Sequence, residues 1–119
     1  MIKKIKTDFE FADERGKLTQ LIHDGYKQIN VLQSNKGVIR GGHYHKYTTE
    51  AFYVILGSVD VIIENEANDN RFTFKEGDFF EIYPYTVHSM LFPEDCIMVQ
   101  MYSNPVENEN GEKDIFSIK

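Results

Sequence analysis

Four side chains far apart along the chain have the types and spacing to hold a divalent metal: His43, His45, Glu50 and His88. His43 and His45 are two residues apart, so on a strand both imidazoles point to one face. Glu50 follows the short stretch Lys46 to Thr49, which has to turn to bring the carboxylate round to the same point, and His88 opens a later extended run. Three imidazoles and one carboxylate make a nitrogen and oxygen ligand set suited to zinc, iron, nickel, cobalt or manganese. Read blandly, the same residues are ordinary polar groups on a strand, with Glu50 a solvated edge charge. Four ligand residues at these separations favour the metal.

The elements that position them read as strands. Short runs of β-branched and aromatic residues recur between turn residues, and no segment carries a sustained helical apolar period. Strands are expected over Lys17 to His23, Lys27 to Gln33, Gly42 to Tyr47, Ala51 to Leu56, Val59 to Glu64, Arg71 to Phe74, Asp78 to Tyr83, His88 to Phe92 and Ile97 to Tyr102. Turns are expected between them, among them Asn35-Lys36-Gly37, Asn68-Asp69-Asn70 and Glu76-Gly77. Without crossover helices to join parallel neighbours, many short strands imply an all-β sandwich or barrel. The inward row beginning at His88 would continue through Met90 and Phe92, and that of Glu50 through Phe52, Val54 and Leu56. A polar rim above an apolar floor results, the composition of a small-molecule pocket. Phe52, Phe72, Phe74, Phe79, Phe80 and Phe92 read as core or interface packing.

Two of these strands, Ala51 to Leu56 and Ile97 to Tyr102, are apolar on both faces. An antiparallel sheet with one face in water would alternate. The second face therefore needs a cover, either the N-terminal strands or a second copy of the chain, and a homodimer is the favoured expectation. The last stretch, from Ser103 to Lys119, turns polar and acidic before the apolar pair Ile115 and Phe116. It is expected to cross the outside of the domain and dock its end or to remain solvated, with Glu107, Glu109, Glu112 and Asp114 a solvated acidic segment.

Composition bounds the rest. A chain of 119 residues, 41% hydrophobic and 27% charged, is one compact domain with enough core to fold unaided. Its single cysteine, Cys96, allows no internal disulfide and no cysteine-built zinc site. Thirteen basic residues against nineteen acidic ones give a net charge of -6, which disfavours nucleic acid and anionic membrane surfaces as partners. The opening MIKKIKTDFEFADERG lacks the apolar stretch of a secretion signal, and no apolar run approaches bilayer-spanning length, so a cytoplasmic location is expected.

The run Gly37, five residues, His43, Tyr44, His45, four residues, Glu50, six residues, Gly57 resembles the first cupin motif at every fixed position. Gly77 to His88 resembles the second in its spacing, with Pro84 one place late, Tyr85 where a glycine is common and Phe92 replacing the usual terminal asparagine. The resemblance implies a double-sheet jelly-roll barrel occupying residues 1–119 as one domain, with a metal-site core at 37–103, N-terminal strands at 1–36 and a polar C-terminal segment at 104–119. DERGKLTQL from Asp13 to Leu21 and IRGGHYHK from Ile39 to Lys46 are further similar to the cupins of polysaccharide and deoxysugar biosynthesis. These are the sugar-nucleotide 3,4-ketoisomerases and the C-terminal cupin domain of capsular bifunctional epimerase/reductase enzymes. The ketoisomerases typically lack the glutamate and work without metal, whereas the capsular domain keeps the full set and binds zinc; Glu50 places this chain closer to the second. The chain ends where the cupin ends, so no accompanying reductase domain is expected.

Both families, where they are enzymes, move a proton on the carbon beside a 4-keto group. The resemblance thus implies an isomerase or epimerase acting on a keto-deoxy nucleotide sugar, with a metal-polarised ketone and a nearby base. His43, His45, Tyr102 and His23 are the candidate catalytic residues, Tyr44 and Tyr85 further candidates for the base, although His23 beside Asp24-Gly25 also reads as a solvated turn residue. Arg15, Arg40, Lys46 and Tyr85 are candidates for binding substrate, the arginines because guanidinium groups grip phosphate oxygens. Strict alternation from His43 turns Arg40 and Lys46 outward, unless Gly41 and Gly42 form a bulge that resets the parity. Two other activities share the ligand set: an iron-dependent dioxygenase, and a non-catalytic cupin that binds a sugar or other small molecule.

Overall fold

The computed structural model describes residues 1–64 and 69–117. Among them the chain forms twelve strands and no helix: β1 (Ile2–Ile5), β2 (Phe9–Asp13), β3 (Gly16–Gln20), β4 (Gln28–Ser34), β5 (Ile39–Tyr44), β6 (Glu50–Leu56), β7 (Ser58–Glu64), β8 (Asp69–Lys75), β9 (Phe79–Ile82), β10 (Val87–Leu91), β11 (Cys96–Tyr102) and β12 (Phe116–Ser117). Three of these, β1, β2 and β12, were not expected. β1 and β2 carry little alternation, and β12 is two residues long, so each depends on the neighbour it pairs with rather than on its own pattern. The turn expected at Asn68-Asp69-Asn70 begins outside the described residues.

Two five-stranded antiparallel sheets face each other, in the orders β1-β9-β6-β11-β4 and β12-β5-β10-β7-β8, and β2-β3 forms a separate ribbon. The expected double-sheet jelly roll is therefore the architecture. Between the sheets lie Phe52, Phe74 and Phe80 in one stack, with ring centroids 3.9 Å apart for Phe74 and Phe80 and 5.2 Å for Phe52 and Phe80. Val54, Val61, Ile63, Met90, Phe92 and Met98 close around them. The row expected from His88 through Met90 and Phe92 is buried throughout. The row from Glu50 ends at Val54. A register shift opposite Ile97 and Met98 leaves Ile55 without a partner and turns Leu56 outward, 47% exposed. Phe72, expected in core or interface packing, is outside the core, 39% exposed on β8.

The outer face of the first sheet is covered in part by the chain's own N-terminal segment. Ile5, Leu21, Ile22 and Tyr26 pack against Ala51, Phe79 and Met101. Of the two covers expected, this one is formed within the chain. Farther along, Ile29 and Val31 on the edge strand β4 and Phe9, Phe11 and Leu18 on the ribbon remain exposed. Among the described residues, no helix is long and apolar enough to cross a membrane.

Candidate metal centre

His43 stands near the end of β5, His45 just beyond it, Glu50 at the first position of β6 and His88 on β10. β10 pairs with β5 so that His88 lies opposite His43. The turn 45–49 folds the chain from one sheet to the other and delivers Glu50 from across the barrel. All four expected ligands converge. One ligand atom from each of His43, His45 and Glu50 lies within 4.8 Å of the others. Glu50 Oε1 is 2.9 Å from His45 Nε2 and 3.2 Å from His88 Nε2. The His43 ring meets those of His45 and His88 edge-on at 5.3 and 5.2 Å.

Two outward nitrogens are anchored. His45 Nδ1 donates to the carbonyl of Asp114 and His88 Nδ1 to the carbonyl of Thr86 at 3.0 Å. A ring that donates outward through Nδ1 presents the Nε2 lone pair inward, the arrangement that orients metal-ligating imidazoles. His45 Nε2 and Glu50 Oε1, both buried, are close without being aligned for a ring N–H bond, and neither has another hydrogen-bond partner. A native interior rarely leaves two such atoms unsatisfied. A cation at their common focus would satisfy both.

Electrostatics set the members of the cluster apart: a metal would have to displace the proton that Glu50 favours on His45. Burial raises the Glu50 carboxyl, but His45 and His88 outweigh it and hold the group down at about 2, ionised although only 1% exposed. Burial, reinforced by His88, pushes His43 down and keeps it neutral at pH 7. For His45, burial pulls down but the Glu50 carboxylate and the Asp114 carbonyl prevail and raise it.

The centre forms the inner wall of a cleft of about 470 Å³, lined also by Leu32, Ile39, Arg40, Gly41, Met90 and Gln100. Arg40 reaches it because the β5–β10 register skips Gly42: His43 is opposite His88, Gly41 opposite Ser89 and Arg40 opposite Met90. This is the bulge on which Arg40's inward orientation depended. Gly41 is needed there, since a Cβ on it would lie 2.7 Å from the His88 carbonyl at a φ of +103°. Arg40 Nε donates to Ser34 Oγ at 2.9 Å and a terminal nitrogen to the Gln33 carbonyl at 3.0 Å, leaving further donors free. Deeper in the barrel, Asn30 donates to Gln100 Oε1 at 3.1 Å. Neither amide nor the serine was singled out from the sequence, because single polar residues on inward strand positions carry no local signature.

The remaining candidates lie elsewhere. Lys46 is excluded from the cleft by its parity; its ammonium sits 4.3 Å from the Phe116 ring centroid, beside a larger outer hollow of about 630 Å³. That hollow mixes Lys27, Lys46 and Lys113 with Glu107, Glu109 and Glu112 and gathers no convergent ligands. Arg15 is on the tip of the ribbon, paired with Asp13 at 2.5 Å. His23 is exposed and bonded to Asp8 at 2.8 Å, away from the centre. Tyr44 stacks between Tyr85 and Phe116 on the outer side, at 6.1 and 5.6 Å. Tyr85 has a φ of 62°, which explains why glycine is common at its place in the second motif. Tyr102 is buried with its ring 5.5 Å from that of His45, and burial keeps its phenol protonated, so it is no base near neutral pH. Asp114, expected in a solvated segment, instead accepts hydrogen bonds from His45 Nδ1 and from residues 46–48.

A family model described as "Polysaccharide biosynthesis C-terminal domain" matches residues 11–116. No curated protein sequence matches the chain. Among solved structures, a double mutant of the QdtA 3,4-ketoisomerase from Thermoanaerobacterium thermosaccharolyticum in complex with TDP is similar, at 23% identity and a TM-score of 0.78 over 97% of this chain and 86% of that one. The dTDP-4-dehydrorhamnose 3,5-epimerase from Sulfolobus tokodaii is similar at 17% identity and a TM-score of 0.71, over 92% of this chain and 79% of that one. The capsular polysaccharide assembling protein CapF from Staphylococcus aureus is similar at 19% identity and a TM-score of 0.69, over 93% of this chain and 34% of that one.

Proposed function

Because the chain belongs to the polysaccharide biosynthesis C-terminal domain family, we propose that it is a metal-dependent isomerase or epimerase acting on a 4-keto-deoxy nucleotide sugar. The observation that carries the metal is the pair of buried, unpartnered atoms, His45 Nε2 and Glu50 Oε1, among three imidazoles of which two, His45 and His88, are anchored outward through Nδ1. His43, His45, Glu50 and His88 would hold a divalent ion, zinc being favoured, and its chemistry there is that of a Lewis acid for the substrate ketone. Similarity in fold to a ketoisomerase bound to TDP and to a dTDP-sugar epimerase supports the substrate class.

Within the cleft the chain's own groups divide the work. Arg40, steadied by Ser34 and Gln33, offers its free donors to a diphosphate oxygen, where a planar guanidinium binds bidentately. Gln100, its carbonyl engaged by Asn30, keeps its amide nitrogen for a sugar oxygen. Leu32, Ile39 and Met90 give the sugar an apolar wall and exclude water. The exposed apolar residues of β4 and the ribbon support a homodimer, and a nucleotide-sugar substrate with one free, buried cysteine fits a cytoplasmic setting.

One observation favours a second reading of the same cleft. Its lining includes no imidazole or carboxylate beyond the ligands themselves, and His43, neutral and the most accessible of the three imidazoles, is the chain's best-placed proton acceptor. His43 would then act as a base without metal. Exchange of solvent deuterium into a panel of keto-deoxy nucleotide sugars separates the two. The metal-dependent reading expects exchange that chelation abolishes and His43→Ala removes. Exchange surviving chelation assigns the second reading. Absence of exchange in metal-loaded protein across the panel overturns isomerase and epimerase alike, and oxygen consumption by iron-loaded protein would assign a dioxygenase instead.

A further inference from the structure

A single residue of the C-terminal segment holds both the His45 ring and the turn between His45 and Glu50. The Asp114 carboxylate accepts hydrogen bonds from Lys46 N at 2.8 Å, Tyr47 N at 3.0 Å and Thr48 Oγ1 at 2.8 Å. Its backbone carbonyl accepts the His45 Nδ1 proton. Its own N–H donates to the Val106 carbonyl at 2.8 Å, which fixes the segment that carries it. Thr48 is buried beneath the turn, whereas Tyr47 at its tip is exposed.

We propose that Asp114 is a positioning residue for the metal centre: by gathering the 46–48 turn on its carboxylate it holds its own carbonyl against His45 Nδ1, and so aims His45 Nε2 at the ion shared with Glu50. The inference rests on the metal reading above, and it adds a part of the chain outside both sequence motifs. The geometry is that of a metal-bound histidine whose second nitrogen donates to a fixed acceptor. Two carboxylate oxygens bound to three donors cannot shift without breaking several bonds at once, and that rigidity is passed to the ring. The segment also docks independently of Asp114, through the pairing of Phe116 with Tyr44, their stacked rings and Lys46 over Phe116. Loss of the carboxylate therefore loosens the clamp while leaving the strand in place.

Two measurements on the full chain test this. Zinc or cobalt(II) titration is expected to show affinity weakened about 10- to 100-fold in Asp114→Ala, with a smaller loss in Asp114→Asn, which keeps one acceptor, and in Thr48→Val, which deletes one donor. Independently of any metal, ¹⁵N-resolved NMR of the metal-free protein is expected to show a His45 Nδ1 proton protected from solvent exchange in the wild type and exchanging in Asp114→Ala. Should that variant fail to fold, Asp114→Asn and Thr48→Val give the same readouts at smaller amplitude. Wild-type affinity together with a protected His45 proton in the variants overturns the proposal. If the wild type takes up no metal, the metal reading falls, and the proton measurement still decides the role of Asp114.

Discussion

Two histidine–carboxylate pairs in this molecule have nearly the same separation and different surroundings. His23 Nδ1 is 2.8 Å from Asp8 Oδ2 at the base of the N-terminal ribbon, and His45 Nε2 is 2.9 Å from Glu50 Oε1 inside the barrel. The first is an aligned hydrogen bond on an exposed ring. The second is unaligned, buried, backed by a carbonyl on the other ring nitrogen, and joined by two more imidazoles. Proximity of opposite charges thus makes an ordinary surface pair in one place and a candidate ligand cluster in the other. What separates them is burial and the outward anchoring of the His45 and His88 rings, since a desolvated, pre-aimed ring leaves its other nitrogen for a third party.

The strongest test of this contrast is Glu50→Gln. In metal at about 100 times Kd, the wild type should gain about 2.7 kcal/mol of stability, read as a rise in Tm, whereas Glu50→Gln should gain none and Asp8→Asn should gain as much as wild type. A metal-induced rise retained by Glu50→Gln would dissolve the distinction between the pairs. Next comes the bulge that admits Arg40. Gly41→Ala should cost about 1–3 kcal/mol, because a side chain there is both left-handed and against the His88 carbonyl. Gly42→Ala, with open space beside it, should cost about 1 kcal/mol. Urea denaturation compares them, and equal costs would show that the close approach at Gly41 is immaterial.

The smallest effect belongs to the exposed pair. Asp8, by its hydrogen bond and then its charge, raises His23 above its ordinary value of 6.5. A raised folded value means that the pair's contribution is fully present below the unfolded value and is lost as pH climbs through the folded one. His23→Ala should therefore flatten the stability profile just above pH 6.5 and leave metal affinity unchanged. A change in affinity would tie the ribbon to the centre.

Most of the central strands were legible because short runs of β-branched and aromatic residues stand between turn residues, and the candidate ligand cluster was legible because three histidines and a glutamate stood at motif spacing. The N-terminal strands were less so. Phe9, Phe11 and Leu18 leave β2 and β3 with apolar residues facing water, a pattern that signals no buried face. β5 lay three residues earlier than expected, because Gly41 and Gly42 are absorbed in a bulge rather than ending a turn. Asp114 was misjudged for a plain reason. Among acidic and polar neighbours its composition is that of a solvated tail, and nothing within its own segment shows that it is tied to a turn 66 to 68 residues away.

By itself the sequence determined the β class, the residue types that the candidate centre gathers and the strand parity of most core residues, since these follow from local backbone geometry acting on side-chain type. Tertiary structure alone decided that His45 and Glu50 meet as unpartnered atoms, that a skipped glycine turns Arg40 into the cleft, and that a carbonyl 69 residues from His45 aims its ring. Each depends on strand register or long-range contact, which are set by the packing of the whole barrel and leave no periodic trace in a single segment.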